Sequence, residues 1–348
     1  MKVALLYGKN VFETGVRRYA EQLEEGLRRA GDDVERVEVA RREWRIGKRR
    51  VGGFVSYWLA RVRRAPRGRD VVHALDPSLA LPGSDLVTVY DLVVEEYPDW
   101  YQRTLPLRVE AKLNRALARR VPWKVCISEV TRQGVLARWG GDPARVVVVP
   151  PNIDHARFRP VEGGSSLLAA DRPNLVFTGA NNPRKNLLLA VKAVHALREE
   201  HGVRARLLRI GPDKFPDVRR EYEAYAQEHG VDLVEPGFVA DDELAAILTA
   251  ADAFLWPPVA EGFGLPPIEA MACGTPVVAV DTPINREVCG ALATYHAADA
   301  SDAARAIARA LQAPPPRDKL RAHAAQFTQE RMVRETRALY ERILAERR

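Results

Sequence analysis

The stretch 259–276, Val-Ala-Glu-Gly-Phe-Gly-Leu-Pro-Pro-Ile-Glu-Ala-Met-Ala-Cys-Gly-Thr-Pro, admits few folds. It follows the apolar run 253–256, which reads as a buried strand. Pro266 or Pro267 suits the first turn of a helix, where a missing N–H loses no partner, and Gly274 with Pro276 marks its end. Strand, glycine loop and helix form the repeating unit of a doubly wound α/β sheet. Gly262 and Gly264 let backbone N–H groups come close to a ligand, and the helix turns its positive end toward that loop. An anion such as a diphosphate is the expected guest. Glu261 and Glu269, with seven residues between them, bracket the site. Carboxylates only accept hydrogen bonds, so the pair suits a ligand with several hydroxyls: a ribose diol for one, a sugar ring for the other. The bland reading of Glu269 places it in the first helical turn, where it complements the helix dipole and meets no ligand.

The same grammar runs through the chain. Residues 2–8 read as a strand, and Thr14 caps a helix over 16–30 whose Val16, Tyr19, Ala20, Leu23 and Leu27 recur at helical spacing before Gly31. The loop 8–15 lacks G-x-G-x-x-G, so a dinucleotide is not expected, and Gly15 reads as a backbone-approach or acceptor-side residue. Further strands are expected at 34–40, 70–75, 86–91, 124–127 and 145–149, then at 174–178, 204–211, 231–234, 253–256 and 276–280. Between the two groups lies the Pro-, Gly- and Ser-bearing stretch 160–173, read as a linker. At 348 residues two domains are expected, 1–165 and 166–325. A closing helix over 326–348 carries Met332, Val333, Leu339, Tyr340, Ile343 and Leu344 at helical spacing.

Net charge is +7, and its placement matters more than its size. Between 41 and 69 stand Arg41, Arg42, Arg45, Lys48, Arg49, Arg50, Arg61, Arg63, Arg64, Arg67 and Arg69, interleaved with Trp44, Phe54, Tyr57, Trp58 and Leu59. The stretch reads either as a basic amphipathic helix lying on an anionic membrane surface, or as a solvated helix with its aromatics packed inward. No nucleic-acid motif accompanies it, so nucleic acid is not an expected partner. Three scattered cysteines fit a reducing, cytoplasmic setting, at the inner membrane face if the basic stretch meets lipid, and Cys273 reads as packing. The opening apolar run is too short for a signal peptide, and no run approaches the ~20 residues of a membrane span. Neither His-x-x-x-His nor an Asp-x-Asp pair in a metal context stands out, so metal independence is expected.

The segment EGFGLPPIEAMACGTPVV resembles the Glu-x7-Glu signature of the retaining glycosyltransferases of family 4, which have the GT-B fold. The resemblance implies two Rossmann-like domains facing each other across a cleft, an N-terminal acceptor domain and a C-terminal donor domain, with the last helix crossing back. It implies transfer of a hexose of mannose or glucose type from a UDP- or GDP-sugar to a hydroxyl of a glycan, lipid-linked or small-molecule acceptor, without a cofactor. By this resemblance Glu269 binds the ribose and Glu261 the donor sugar, with Gly262, Phe263, Gly264 and Leu265 beside the diphosphate. In the loop 179–186, after Gly179, Lys185 matches the family's cation, and Arg184 takes over for the Arg whose place Ala180 holds. The segment 235–239 matches the one that edges the base, which brings in Val239. Tyr90 stands where the family has His, next to Asp91, and both are acceptor-side candidates. Ser128 reads as a helix cap first and an acceptor contact second, and His73 as a structural strand-end residue before a ligand. Other classes stay open: an epimerase or hydrolase on this fold, or a non-catalytic sugar-nucleotide or membrane-binding protein.

Overall fold

The computed structural model describes residues 1–8, 14–39, 44–46, 49–51, 64–102 and 104–347. Most of the loop 8–15 and most of the basic stretch, including Arg41, Arg42, Lys48, Phe54, Tyr57, Trp58, Leu59, Arg61 and Arg63, lie outside the described residues. The chain divides into two compact units, Met1–Asn152 with Phe327–Arg348, and Ile153–Gln326.

The first unit is built on β1 (Lys2–Tyr7), β2 (Asp33–Glu38), β5 (Val71–Ala74), β6 (Leu86–Val89), β7 (Trp123–Cys126) and β8 (Val146–Val148). They pair in parallel in the order β2-β1-β5-β6-β7-β8. Four of the six are apolar runs buried along nearly their whole length, as a parallel sheet covered on both faces requires. Part of the basic stretch is not helical: β3 (Trp44–Ile46) and β4 (Arg49–Val51) pair antiparallel, with Ile46 opposite Arg49. The signal was Gly47-Lys48, a two-residue connector of the kind that closes hairpins, between short runs ending in Ile and Val.

The helix Gln329–Ala345 belongs to this first unit, and its stripe Met332, Val333, Leu339, Tyr340 and Ile343 joins the sheet core. Two devices hold it there. Gly26 of the helix Thr14–Arg29 lies so close that a Cβ would stand 2.3 Å from Val333 Cγ2. His73, fully buried in β5, has Nδ1 2.8 Å from Tyr340 Oη and Nε2 2.8 Å from Thr88 Oγ1. Burial lowers the His73 pKa to about 3, so the ring is a neutral clamp rather than a ligand.

In the second unit, β9 (Asn174–Thr178), β10 (Arg206–Ile210), β11 (Asp232–Gly237), β12 (Ala253–Trp256), β13 (Val277–Val280) and β14 (Thr294–His296) pair in parallel as β11-β10-β9-β12-β13-β14. Counted along the chain this is 3-2-1-4-5-6, the doubly wound order, and the direction of winding reverses between β9 and β12. Ligands of such sheets settle beyond the carboxyl ends of the strands at that reversal. The stretch read as a linker lies inside this unit: Ser165 Oγ donates to Glu243 (3.0 Å), and Ala169 N–H to Asn174 Oδ1 (2.7 Å).

Candidate functional site

The loops after β9 and β12 meet at the reversal point. The first begins at Gly179, in the left-handed region at φ 137°, whose N–H donates to Ile210 O (2.8 Å). Asn181, fully buried, then braces the turn: its Oδ1 accepts from Lys214 N–H (2.7 Å) and Phe215 N–H (3.1 Å), and its Nδ2 donates to Phe215 O (2.9 Å). Asn182 Oδ1 accepts from Arg184 N–H and caps the short turn Pro183–Lys185, which displays both cations before the helix Leu187–His201 starts. Two further bonds stitch this loop to the one after β12. Val259 N–H donates to Arg184 O (3.0 Å), and Arg184 Nη1 donates to Ala260 O (3.1 Å).

Three charges converge there. Glu261 Oε1 lies 2.6 Å from Arg184 Nη1 and 2.6 Å from Lys185 Nζ, with the carboxylate side chain only 8% exposed. Burial pushes the Glu261 carboxyl up, but Lys185 and then Arg184 more than offset it, and it is held below its ordinary value. The Lys185 ammonium also lies over the Trp256 ring, 4.2 Å from its centroid. The cluster therefore holds two cations for one anion in a mostly buried place.

Gly264 caps the helix Leu265–Cys273 at φ 92°, so both prolines fall in the first turn and Glu269 in the second, not in the first as expected. Glu269 is buried. The bland reading, a solvated carboxylate at the dipole's positive end, loses its ground. Gly262, Phe263 and Gly264 are buried around the loop, and Leu265 is half-buried. On the other flank the ends of β9, β10 and β11 are bare backbone. A Cβ on Gly211 would stand 2.4 Å from Gly179 O, and Gly211 N–H donates to Gly237 O (2.9 Å). Just beyond, Val239 is buried while Phe238 is 85% exposed.

Arg184, Lys185, Glu261, Glu269, Gly179, Val239 and Gly262 to Leu265 thus all belong to the second unit, and the acceptor-side candidates to the first. Gly15 sits exposed in the first turn of Thr14–Arg29, with nothing among the described residues within 4 Å of where a Cβ would stand. The Tyr90 ring stands edge-on to Tyr19 at 5.4 Å, and its hydroxyl is buried with no partner among the described residues. Burial, then Tyr19 and Asp76, push that hydroxyl well above its ordinary pKa. Asp91 Oδ1 accepts from Val93 N–H (3.1 Å) and opens the short helix Val93–Glu96. Ser128 Oγ accepts from Thr131 N–H (3.0 Å) as a helix cap. All three cysteines are buried and free, with burial pushing each thiol up to about 12. Among the described residues no group of three or more His, Cys, Asp or Glu is placed to hold a metal, and no helix is long and apolar enough to cross a membrane. Sequence reasoning missed Asn181 and Trp256. An Asn in a polar loop and a Trp ending a strand carry no signal of the bonds they make at a distance.

With two doubly wound units and the last helix returned to the first, the chain has the GT-B fold. The sucrose-phosphate synthase of Thermosynechococcus elongatus aligns over 99% of both chains with TM-score 0.76 at 21% identity. The Anabaena protein HepE, solved with UDP and glucose, aligns over 97% of this chain and 98% of its own with TM-score 0.70 at 16% identity. The pattern of the glycosyl transferases group 1 family matches residues 161–327, nearly the whole of the second unit. A D-inositol 3-phosphate glycosyltransferase of Actinosynnema mirum is 34% identical over 61% of this chain and 55% of its own length. The MMP alpha-(1->4)-mannosyltransferase of Mycolicibacterium hassiacum is 28% identical over 71% of this chain and 61% of its own length. The matched part of the chain spans little more than half the length of these curated relatives.

Proposed function

We propose that the chain is a retaining hexosyltransferase that moves a mannose- or glucose-type sugar from a nucleotide diphosphate sugar to an acceptor hydroxyl. One observation carries this reading: Arg184, Lys185 and Glu261 converge at the carboxyl ends of β9 and β12, beside a glycine loop and a helix start. The leaving group is a diphosphate, so catalysis is chiefly the stabilisation of departing charge. Arg184, Lys185 and the N–H groups of Phe263, Gly264 and Leu265 supply it from a preorganised, mostly dry setting. Glu269 holds the ribose and Glu261 the sugar hydroxyls, with Gly179 and Val239 along the nucleoside. The bond from the anomeric carbon to the diphosphate oxygen breaks, and the acceptor oxygen bonds that carbon on the same face. The acceptor's proton passes to the departing phosphate. Protein cations meet the phosphate charge, so activity after chelation of metals is expected.

The UDP and glucose bound to HepE, and the mannosyltransferase among the relatives, make UDP- and GDP-hexoses the first donors to try. The test is a panel of UDP- and GDP-glucose and -mannose with hydroxyl acceptors, the product's anomeric configuration read by NMR. An inverted product, or free sugar formed at the same rate with and without acceptors, overturns the reading and favours a hydrolase. An anionic membrane surface is the proposed neighbour of the first unit through the stretch 41–69. Leu105, 73% exposed, and Leu107 stand on the helix Leu105–Arg120 with Arg108, Lys112, Arg119 and Arg120, a helix that buries only Ala118. Sedimentation with vesicles of anionic and of neutral lipid tests it, and equal binding to both overturns it.

A further inference from the structure

We propose that Trp256 is a positioning residue: its indole face holds the Lys185 ammonium in place when Glu261 turns from that cation to a ligand hydroxyl. This rests on the diphosphate reading above. Trp256 ends β12, is fully buried, and packs beside Phe177 of β9 (ring centroids 6.2 Å) and Phe254 of its own strand (5.9 Å). Lys185 Nζ stands 4.2 Å from the ring centroid, well inside the ~6 Å over which a ring face attracts a cation, and desolvation strengthens that attraction. A lysine needs such support, because its charge rides on a flexible four-carbon stem. Glu261 cannot give it during turnover. A carboxylate that holds Lys185 competes with the phosphate for the ammonium and is not available to the sugar. The ring attracts the charge without bringing an anion into the diphosphate's place.

The indole Nε1 is buried and donates to no acceptor among the described residues. It lies 3.3 Å from where a Cβ on Gly264 would stand, so the same ring also keeps that place in the loop free of a side chain. One side chain therefore touches both walls of the site, the cation on the loop after β9 and the glycine at the helix start.

Calorimetric titration with inorganic pyrophosphate and with UDP tests this on the wild type, Trp256→Phe, Trp256→Leu, Lys185→Ala and the Trp256→Leu/Lys185→Ala pair. Trp256→Leu is expected to weaken both ligands about 5- to 30-fold, and Trp256→Phe less than about three-fold, since a phenyl face is kept. In the Lys185→Ala background Trp256→Leu should change neither by more than about two-fold. Equal losses in both backgrounds make the tryptophan a packing residue and overturn the proposal, as does Trp256→Phe failing as badly as Trp256→Leu. If the leucine variant does not fold, fluorinated tryptophans serve instead: affinity should fall as fluorine drains the ring face in the wild type and not in Trp256→Phe. No fluorine dependence overturns the proposal. A wild type that binds neither ligand removes the diphosphate reading itself, and this inference with it.

Discussion

The two units share a way of winding and differ in what stands at the carboxyl ends of their strands. In the second, the loops after β9 and β12 bring two cations and a carboxylate to one point, with bare glycine backbone on one side and a helix start on the other. In the first, two of the groups at β5 and the end of β6 are neutral: His73 clamped between Tyr340 and Thr88, and Tyr90 edge-on to Tyr19. Burial alone keeps the His73 ring neutral, and burial, then Tyr19 and Asp76, keep the Tyr90 hydroxyl so, whereas at Glu261 the neighbouring cations overcome burial. A shared architecture does not share chemistry, which comes from a few side chains grafted on it.

The largest expected break between the units is kinetic. Lys185→Ala should lower turnover about 10²–10³-fold, as for loss of one donor to a developing anion. Tyr90→Phe should cost less than ten-fold, since a hydroxyl held neutral is no base. Steady-state rates with a competent donor check both, and equal losses would erase the contrast. Glu261→Gln sharpens it further. Turnover should fall while inorganic pyrophosphate binds more tightly, because the substitution removes the anion that occupies both cations. Weaker pyrophosphate binding would mean that Glu261 organises the cations instead of competing for them.

Acid should separate the units next. The folded-state pKa of His73 is lowered, so its contribution is complete above the unfolded value of about 6.5 and is lost as pH falls toward the folded value of about 3. The Glu261 pKa is also lowered in the folded state, but from a carboxylate's value near 4.3, so its contribution persists to lower pH before it goes. Melting temperatures between pH 7 and 4 should therefore fall in the wild type and flatten in His73→Gln, whereas Glu261→Gln should keep the slope above pH 5. An unchanged slope in His73→Gln would sink the neutral clamp.

The smallest effects are glycine effects of opposite sign. Gly264→Ala forces a side chain into a left-handed residue against Trp256 and should cost about 1–3 kcal/mol of stability. Gly15→Ala, exposed in a helix and with no described residue within 4 Å of the added Cβ, should gain about 0.5–1 kcal/mol. Thermal denaturation reads both. If Gly15→Ala stabilises the chain yet abolishes acceptor use, the bare backbone there serves a ligand.

Much of this molecule is local, and local features are legible in a sequence. Apolar runs of four to six residues, glycines at their ends and helical spacing such as Met332, Leu339 and Ile343 place strands and helices because period and burial are properties of neighbours in the chain. The pairing of Trp44–Ile46 with Arg49–Val51 was lost under the charge of that stretch, and the first turn of Leu265–Cys273 was placed too late because its prolines were read as alternatives. The glycines and carboxylates of 261–274 were visible for the same local reason. Tertiary structure alone decided that Arg184 and Lys185 reach Glu261, that Trp256 lies beneath the ammonium and that Asn181 braces the turn. Those meetings depend on β12 pairing with β9 across β10 and β11 in the chain. Strand order is set by how whole helices and strands bury one another, and no short window of residues encodes it.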